Sequence, residues 1–453
     1  AQDRAATLDQ ANCHGANDHR GFGDGIGEKI HQMRTAGTWA IADHWRLTRP
    51  QHTHCGSLYI RFTHELRNPG HGWALMKPTF TTIALLTSSL LIPSAIAHRE
   101  AAPQPKVQLA LLLDTSNSMD GLIEQAKTQL WKVVNTFIES KKDGKVPFVE
   151  VALYEYGNQG LKPGQNFIRQ VQPFTRDLDQ VSADLFALKT NGGDEYCGAV
   201  IERAVQDLKW DASGQVYKSI FIAGNEPFTQ GSVSPNTACK EAIGRGVVVN
   251  TIHCGPNDVG LSGGWHQGAQ LAEGTYMVIN QDAVVAHVNA PQDKEILRLN
   301  KCLNETYIPF GAVGAEKKQS QIVQDSNARS KASAGADVQR ALTKASSNYW
   351  NATWDLADRS LEKDFDWSKV GDAQLPEAMR GLDLDGRKKY VADKIVERQQ
   401  IQTEIKKLNK ARVAYVAEKR QESSTETAQT LDKVVTKTVR EQATKKGYLF
   451  GKN

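Results

Sequence analysis

Between positions 107 and 303, apolar residues alternate between runs of strand character and stripes of helical character. Val107 to Leu113 is almost continuously apolar, as expected for a central strand buried on both faces. Leu122 to Ile138 then carries apolar residues at 122, 123, 126, 130, 133, 134 and 137, the stripe of an amphipathic helix. Phe148 to Tyr156 alternates like a strand, and Phe167 to Phe174 reads as an antiparallel edge strand. Helices are predicted over Leu178–Leu188 and about Glu195–Leu208. Further along, Tyr217–Ala223, Val247–His253 and Thr275–Ile279 read as strands, interleaved with helices at Ala238–Ile243 and Trp265–Ala272. Asp293–Leu303 closes the series as a helix. This succession predicts an α/β fold, a doubly wound and mostly parallel sheet, over about residues 107–310.

Strand signals stop after Pro309, and residues 311–453 read as an α-helical C-terminal region rich in Lys, Glu, Gln, Ala and Arg. Gly314 to Ala336 is polar and small, which suggests a linker or a loose helix. Tyr349, Trp350 and Trp354 cluster in NYWNATWDLAD, the two tryptophans one helical turn apart if the segment is helical. Burial against the first domain or the tail itself is favoured for them over a partner-binding patch. Leu375-Pro376 marks a boundary between helical segments. Lys389 to Arg420 spaces Ile401, Ile405, Leu408 and Tyr415 at heptad-like intervals with Arg412 in the seam, too few heptads for a coiled coil. A hairpin of long helices packed against the aromatic cluster is the expectation, with the basic end VREQATKKGYLF as a solvated helix face.

The first 97 residues follow different rules. Met76-Lys77-Pro78 opens a short basic region, Phe80 to Ile92 is an apolar core, and Ala95-Ile96-Ala97 is a small-x-small cleavage site. That is the layout of a secretory signal peptide at 76–97, its core too short to span a bilayer. Residues 1–75 are then expected to lie outside the natural mature protein, with 98–106 as a linker. Cys13-His14 and His52-Thr53-His54-Cys55 lack the paired spacing of a metal module. The expectation is export to the periplasm, with no integral membrane segment in the mature chain.

Export changes the reading of the cysteines. Of six, Cys197, Cys239, Cys254 and Cys302 fall in the predicted α/β domain. In an oxidising compartment four thiols suggest two disulfides with three possible pairings. Predicted placement favours Cys197 with Cys254 and Cys239 with Cys302; the alternative is that some remain buried free thiols. A formal net charge of +4 over 453 residues is too mild to indicate a nucleic-acid partner.

The candidate chemistry lies at the end of the first strand, in LALLLDTSNSM. Asp114, Ser116 and Ser118 place a carboxylate and two hydroxyls where α/β sheets bind ligands. Crowded oxygen donors suit a hard divalent cation. The rival reading is simple capping of the next helix.

DTSNS after the first strand, TNGGDE in the next top loop, IFIAGNEPF after the fourth strand and GGWHQGAQLAEGTYMVI near the end together resemble a von Willebrand factor type A domain. The resemblance implies a metal-ion-dependent adhesion site. Its D-x-S-x-S loop, a Thr from a second loop and an Asp from a third hold Mg²⁺ (or Mn²⁺ or Ca²⁺), and a partner protein's Asp or Glu fills an open position. Asp114, Ser116 and Ser118 match the first loop. In the second loop Thr190, Asp194 and Glu195 are all within reach, with Thr190 and Asp194 ranked first. The third loop departs from the pattern, because Gly224 aligns with the metal-linked Asp; Asn225 or Glu226 would have to substitute through an oxygen. His253 beside Cys254, and Trp265-His266, are read as packing residues. The resemblance implies a binding module and not an enzyme. The alternatives are a scaffold whose domain binds no metal, or a hydrolase using Ser116 or Ser118, for which no G-x-S-x-G elbow is present.

Overall fold

The computed structural model describes residues 104–138, 140–280, 282, 287–422 and 431–451. The upstream extension and signal peptide expected at 1–97 lie outside the described residues. Six strands, β1 (Lys106–Asp114), β2 (Phe148–Tyr156), β3 (Ile168–Thr175), β4 (Tyr217–Gly224), β5 (Val248–Cys254) and β6 (Tyr276–Ile279), form one sheet in the order β3-β2-β1-β4-β5-β6. All neighbours are parallel except β3, which runs antiparallel to β2 at the edge. β1 is central because Val107, Leu109, Ala110, Leu112 and Leu113 are all buried and fill both of its faces. β3 is only half-buried, and that suits an edge.

Two helical layers cover the sheet. On one face lie α1 (Asp120–Asn135) and α2 (Leu178–Ala187). The other face carries α3 (Cys197–Asp207), α4 (Pro235–Gly244), α5 (Asn257–Ser262) and α6 (Trp265–Leu271). Local chemistry sets several helix starts. Asp177 accepts Gln180 N at 3.0 Å ahead of α2, and Ser234 caps α4 with Pro235 in the first turn.

Beyond β6 come α7 (Asp293–Asn304), α8 (Gly314–Ser330), α9 (Ala336–Lys344), a short α10 (Leu356–Arg359), α11 (Leu384–Glu422) and α12 (Leu431–Lys445). Residues 101–453 group as one compact unit. The stretch expected to be a linker or a loose helix contains the helix α8. It docks on α2 through Lys317–Asp177 at 2.9 Å and Ser182 Oγ donating to Gln324 Oε1 at 3.0 Å, with Gln321, Gln324 and Asn327 buried. Its buried face is polar, so it shows no apolar stripe.

In NYWNATWDLAD residues 348–355 are irregular and α10 begins only at Leu356, so the two tryptophans do not share a helix. Trp354 and Tyr349 pack against Tyr307 with ring centroids 5.8 Å apart in each case, while Trp350 stays half-buried and donates to Glu362 at 3.0 Å. Burial within the protein is therefore the role of this cluster. In place of a helical hairpin, α11 is one 39-residue helix that buries Val391, Arg398, Ile405 and Arg412 at seven-residue spacing. Ile405 joins the aromatic cluster, Arg398 pairs with Asp355 at 2.8 Å and Asp358 at 2.7 Å, and the seam residue Arg412 pairs with Asp293 at 2.6 Å.

The basic C-terminal end also departs from expectation. α12 lies on the sheet beside α1, with Val435, Val439, Ala443 and Tyr448 in the main core. Gln442 is buried, donating to Asn250 Oδ1 at 2.6 Å and accepting from Tyr217 Oη at 2.8 Å. The end of the chain thus closes the layer that α1 begins.

Neither expected disulfide forms. Cys197, Cys239 and Cys254 are buried free thiols. Cys254 belongs to the core under α1 and α12, whereas Cys197 and Cys239 lie in the core on the opposite face, so the sheet itself separates Cys197 from Cys254. Cys302 sits on α7, which packs against α9 and α11 on the α1 side, away from Cys239 on α4.

A buried ion network joins α8 and α9 to α2. Asp325 pairs with Arg340 at 2.6 Å and Lys344 at 2.9 Å, and Arg340 pairs with Asp179 at 2.5 Å. Burial alone would raise the Asp325 carboxyl, but the Lys344 and Arg340 charges overcome it and hold it well below the usual carboxylate range. A depressed carboxylate stabilises the fold above its unfolded pKa, and that contribution is lost as pH falls below about 4. Asp325→Asn should cost about 3–5 kcal/mol at neutral pH, because it leaves the buried Lys344 without a carboxylate and Arg340 with only Asp179. Urea unfolding across pH 3 to 7 checks this, and the variant should lose less stability on acidification than the parent.

Candidate metal centre

Strand order reverses around β1, which continues to β2 and β3 on one side and to β4, β5 and β6 on the other. The crevice at the carboxyl end of such a strand is where open α/β sheets bind ligands. Asp114, the last residue of β1, occupies it with no solvent exposure. Its Oδ1 accepts Ser116 N at 2.7 Å, which turns the chain and aims both serines at the crevice. Ser116 Oγ and Ser118 Oγ are 3.2 Å apart, and Asn225 Nδ2 donates to Ser118 Oγ at 3.1 Å. The first and third loops therefore meet at Ser118 and Asn225.

The second loop is fastened to the first by Asn191 N donating to Thr115 O at 2.9 Å. Its residues are disposed differently from the expected ranking. Thr190 donates to the Asp120 carboxylate at the start of α1. Asp194 is exposed and accepts the Tyr196 hydroxyl at 3.1 Å, turned away from the crevice. Glu195 is the residue that turns inward, buried with its carboxyl beside that of Asp114. Gly157 makes room for it. A Cβ there would meet Asp114 Oδ1 at 2.7 Å and Glu195 Cγ at 2.8 Å. The signal in the sequence was position: Glu195 is the carboxylate nearest the apolar start of α3, and the residue one step earlier faces solvent.

The third loop explains its missing carboxylate. Gly224 ends β4, and a Cβ on it would lie 2.5 Å from Tyr156 Oη, 3.1 Å from Asp114 Oδ2 and 3.2 Å from Trp265 Cη2. Tyr156 pairs with Asp114 in register across β1 and β2. Its hydroxyl donates to Ala223 O at 3.0 Å and accepts from the Cys197 thiol at 3.7 Å. Nothing in the linear sequence signalled this, since Tyr156 and Gly224 meet only through the sheet.

Trp265 packs beneath the third loop, donating through Nε1 to Glu226 O at 2.9 Å. His253 is buried with its ring 5.7 Å from that of Trp265, on the face of β5 opposite Cys254. Both rings thus pack into the protein beneath the third loop.

Asp114 and Glu195 face each other with little water. Burial raises the Asp114 carboxyl above its ordinary value, and burial together with the Asp114 charge raises that of Glu195 further. Asp114 Oδ2, Glu195 Oε2 and Asn225 Oδ1 are buried without a hydrogen-bond partner. Among the described residues no three His, Cys, Asp or Glu side chains form a group that could by themselves hold a metal ion. The available donors are thus two carboxylates, two hydroxyls and an amide oxygen, a set that fits a hard divalent cation and not a soft one.

Residues 108–261 match the von Willebrand factor type A domain family. This segment is a von Willebrand factor type A domain. No curated protein matches the chain. Among solved structures, proximal thread matrix protein 1 from the mussel byssus, described with a zinc-occupied MIDAS motif, is similar at 14% identity and a TM-score of 0.31. That match covers 40% of this chain and 43% of the mussel protein, so this chain spans less than half of that protein's length. The SpRpn10 VWA domain matches at 17% identity and a TM-score of 0.30, covering 38% of this chain and 87% of that one. BatB from Bacteroides thetaiotaomicron matches at 16% identity and 0.29, covering 43% and 98%.

The Tyr156–Gly224 fit in the von Willebrand domain is directly testable. Gly224→Ala should destabilise the protein by about 1–3 kcal/mol through overpacking. Adding Tyr156→Phe, which removes the colliding oxygen, should recover part of that loss. Urea unfolding of the two variants and the parent measures both effects.

Proposed function

We propose that this protein is a protein-interaction module whose von Willebrand domain holds a divalent cation, Mg²⁺ or Mn²⁺, and through it engages an Asp or Glu of a partner protein. The observation that carries this reading is the set of partnerless buried oxygens on Asp114, Glu195 and Asn225 beside the two serine hydroxyls. Ser116, Ser118 and Asn225 would offer neutral oxygens, and Asp114 an anionic one, held in place by the Ser116 amide. A bound cation supplies an electrophilic centre with exchangeable positions for an outside carboxylate. Around it the chain provides an apolar rim, since Val259 and Leu261 on α5 are exposed at the end of β5, and Phe228 N donates to Gly263 O at 2.9 Å to tie that helix to the third loop.

This is binding chemistry and not turnover. No helix among the described residues is long and apolar enough to cross a membrane. Export to the periplasm is our reading of the pattern at residues 76–97. The helices from α7 to α11 brace the domain away from the site and would orient it toward a partner. A second reading, a scaffold without metal, is favoured by the closeness of the two carboxyls, since burial and the Asp114 charge raise the Glu195 carboxyl and a proton kept there would satisfy part of the site without a cation.

Thermal unfolding of the full chain in EDTA and in rising Mg²⁺ or Mn²⁺ separates the two. Binding should stabilise the protein by about 2.7 kcal/mol at a hundredfold excess over Kd. The Asp114→Ala, Ser116→Ala double variant should show no such gain. A parent indifferent to millimolar cation would favour the scaffold.

A further inference from the structure

A divalent cation buried among neutral oxygens needs anionic charge nearby, and position 224 of the third loop cannot supply the second carboxylate, while Glu226 two residues on is close enough to raise the Asp114 and Glu195 carboxyls but is exposed. Position 224 faces the partnerless Asp114 Oδ2 across 3.1 Å, but the Tyr156 hydroxyl stands 2.5 Å from where a side chain would begin. Tyr156 does not swing aside freely. It is fully buried, and its hydroxyl is held by Ala223 O and the Cys197 thiol. The backbone of Gly224 is not the obstacle, because its φ lies outside the left-handed region.

The opposite side of Asp114 is built for a carboxylate. Gly157, at φ +79°, is the residue between β2 and the crevice, and a side chain there would collide with both Asp114 and Glu195. Its bareness lets the longer Glu195 side chain reach Asp114 from the second loop. Glu195 is 4% exposed and keeps Oε2 without a partner, while its amide N is anchored to Gln230 Oε1 at 3.1 Å. The neighbouring Asp194 is exposed and bonded to Tyr196.

Resting on the cation reading above, we propose that Glu195 is the second carboxylate of the metal centre, moved from the third loop to the second, and that Tyr156 enforces the move by filling the space at Gly224. Asp114 and Glu195 then supply two negative charges to a divalent ion, and Asn225 keeps the third-loop contact as a neutral amide. The exchange is reciprocal. Removing the Tyr156 hydroxyl opens position 224 to a carboxylate facing the same Asp114 oxygen, with Trp265 and Asp114 left to give by a few tenths of an ångström.

Mn²⁺ binding to the full chain, read from the electron paramagnetic resonance signal of the free ion, tests this with E195Q, D194N and the triple variant E195Q/Y156F/G224D. Folding of each is checked by thermal unfolding in EDTA. E195Q should bind Mn²⁺ at least about tenfold more weakly than the parent, a loss typical of removing a metal-supporting group. D194N, with the same change in net charge, should bind like the parent, and the triple variant should bind more tightly than E195Q. A parent that binds no Mn²⁺ overturns the cation reading and this inference together. A parent that binds, with a folded E195Q binding equally well, overturns this inference alone. If E195Q does not fold, the triple variant decides: binding supports the exchange, and a folded triple variant without binding overturns it.

Discussion

A carboxylate with no access to water ends the central strand of this protein, and the surrounding structure is organised to accommodate it. Asp114 is carried to that position because β1 is paired on both sides and apolar on both faces, so the strand cannot shift without exposing Leu109, Leu112 and Leu113. Burying a charge in this way is costly unless it is paired or hydrogen-bonded. The Ser116 amide and Glu195 answer part of that demand. Asp114 Oδ2 remains unanswered.

The loops that frame the crevice are held by the sheet, not by one another alone. Tyr156 at the end of β2 and Gly224 at the end of β4 flank Asp114 because parallel pairing aligns the three strand ends. The same alignment lets one tyrosine hydroxyl determine what the third loop can contain. Electrostatics and packing are thus coupled in this site: the residue that excludes a side chain at 224 also leaves Asp114 facing the carboxylate on its other flank.

Much of the α/β architecture was legible in the chain because strands buried on both faces must be apolar throughout. β2 was read to its observed limits, and β1, β4 and β5 to within a residue at each end. The first-loop residues were legible because Asp-x-Ser-x-Ser follows such a run directly. Glu195 was not, since the choice between two adjacent carboxylates depends on how α3 begins and on the space left by Gly157. The helical region was read least well. α8 buries glutamines and an asparagine and carries no apolar period, and in α11 the buried series alternates Val391 and Ile405 with arginines matched to Asp355, Asp358 and Asp293, so its apolar period is interrupted. The cysteine pairing failed because residues predicted to lie at similar heights in the fold sit on opposite sides of the sheet.

The return of α12 to the sheet has a consequence for how the chain reaches this state. Val435, Val439, Ala443 and Tyr448 cover apolar surface contributed by β1 and α1, hundreds of residues earlier in sequence. Leu449 and Lys141 exchange backbone hydrogen bonds at 2.7 and 2.8 Å, and Tyr448 donates to Lys106 O at the first residue of the first strand. Such pairings carry the largest loop-closure entropy the chain can incur and form late. A polypeptide still being synthesised would therefore leave the part of that sheet face beside α1 uncovered until residues 431–451 arrive, and such an unfinished chain is open to aggregation or to capture by a chaperone.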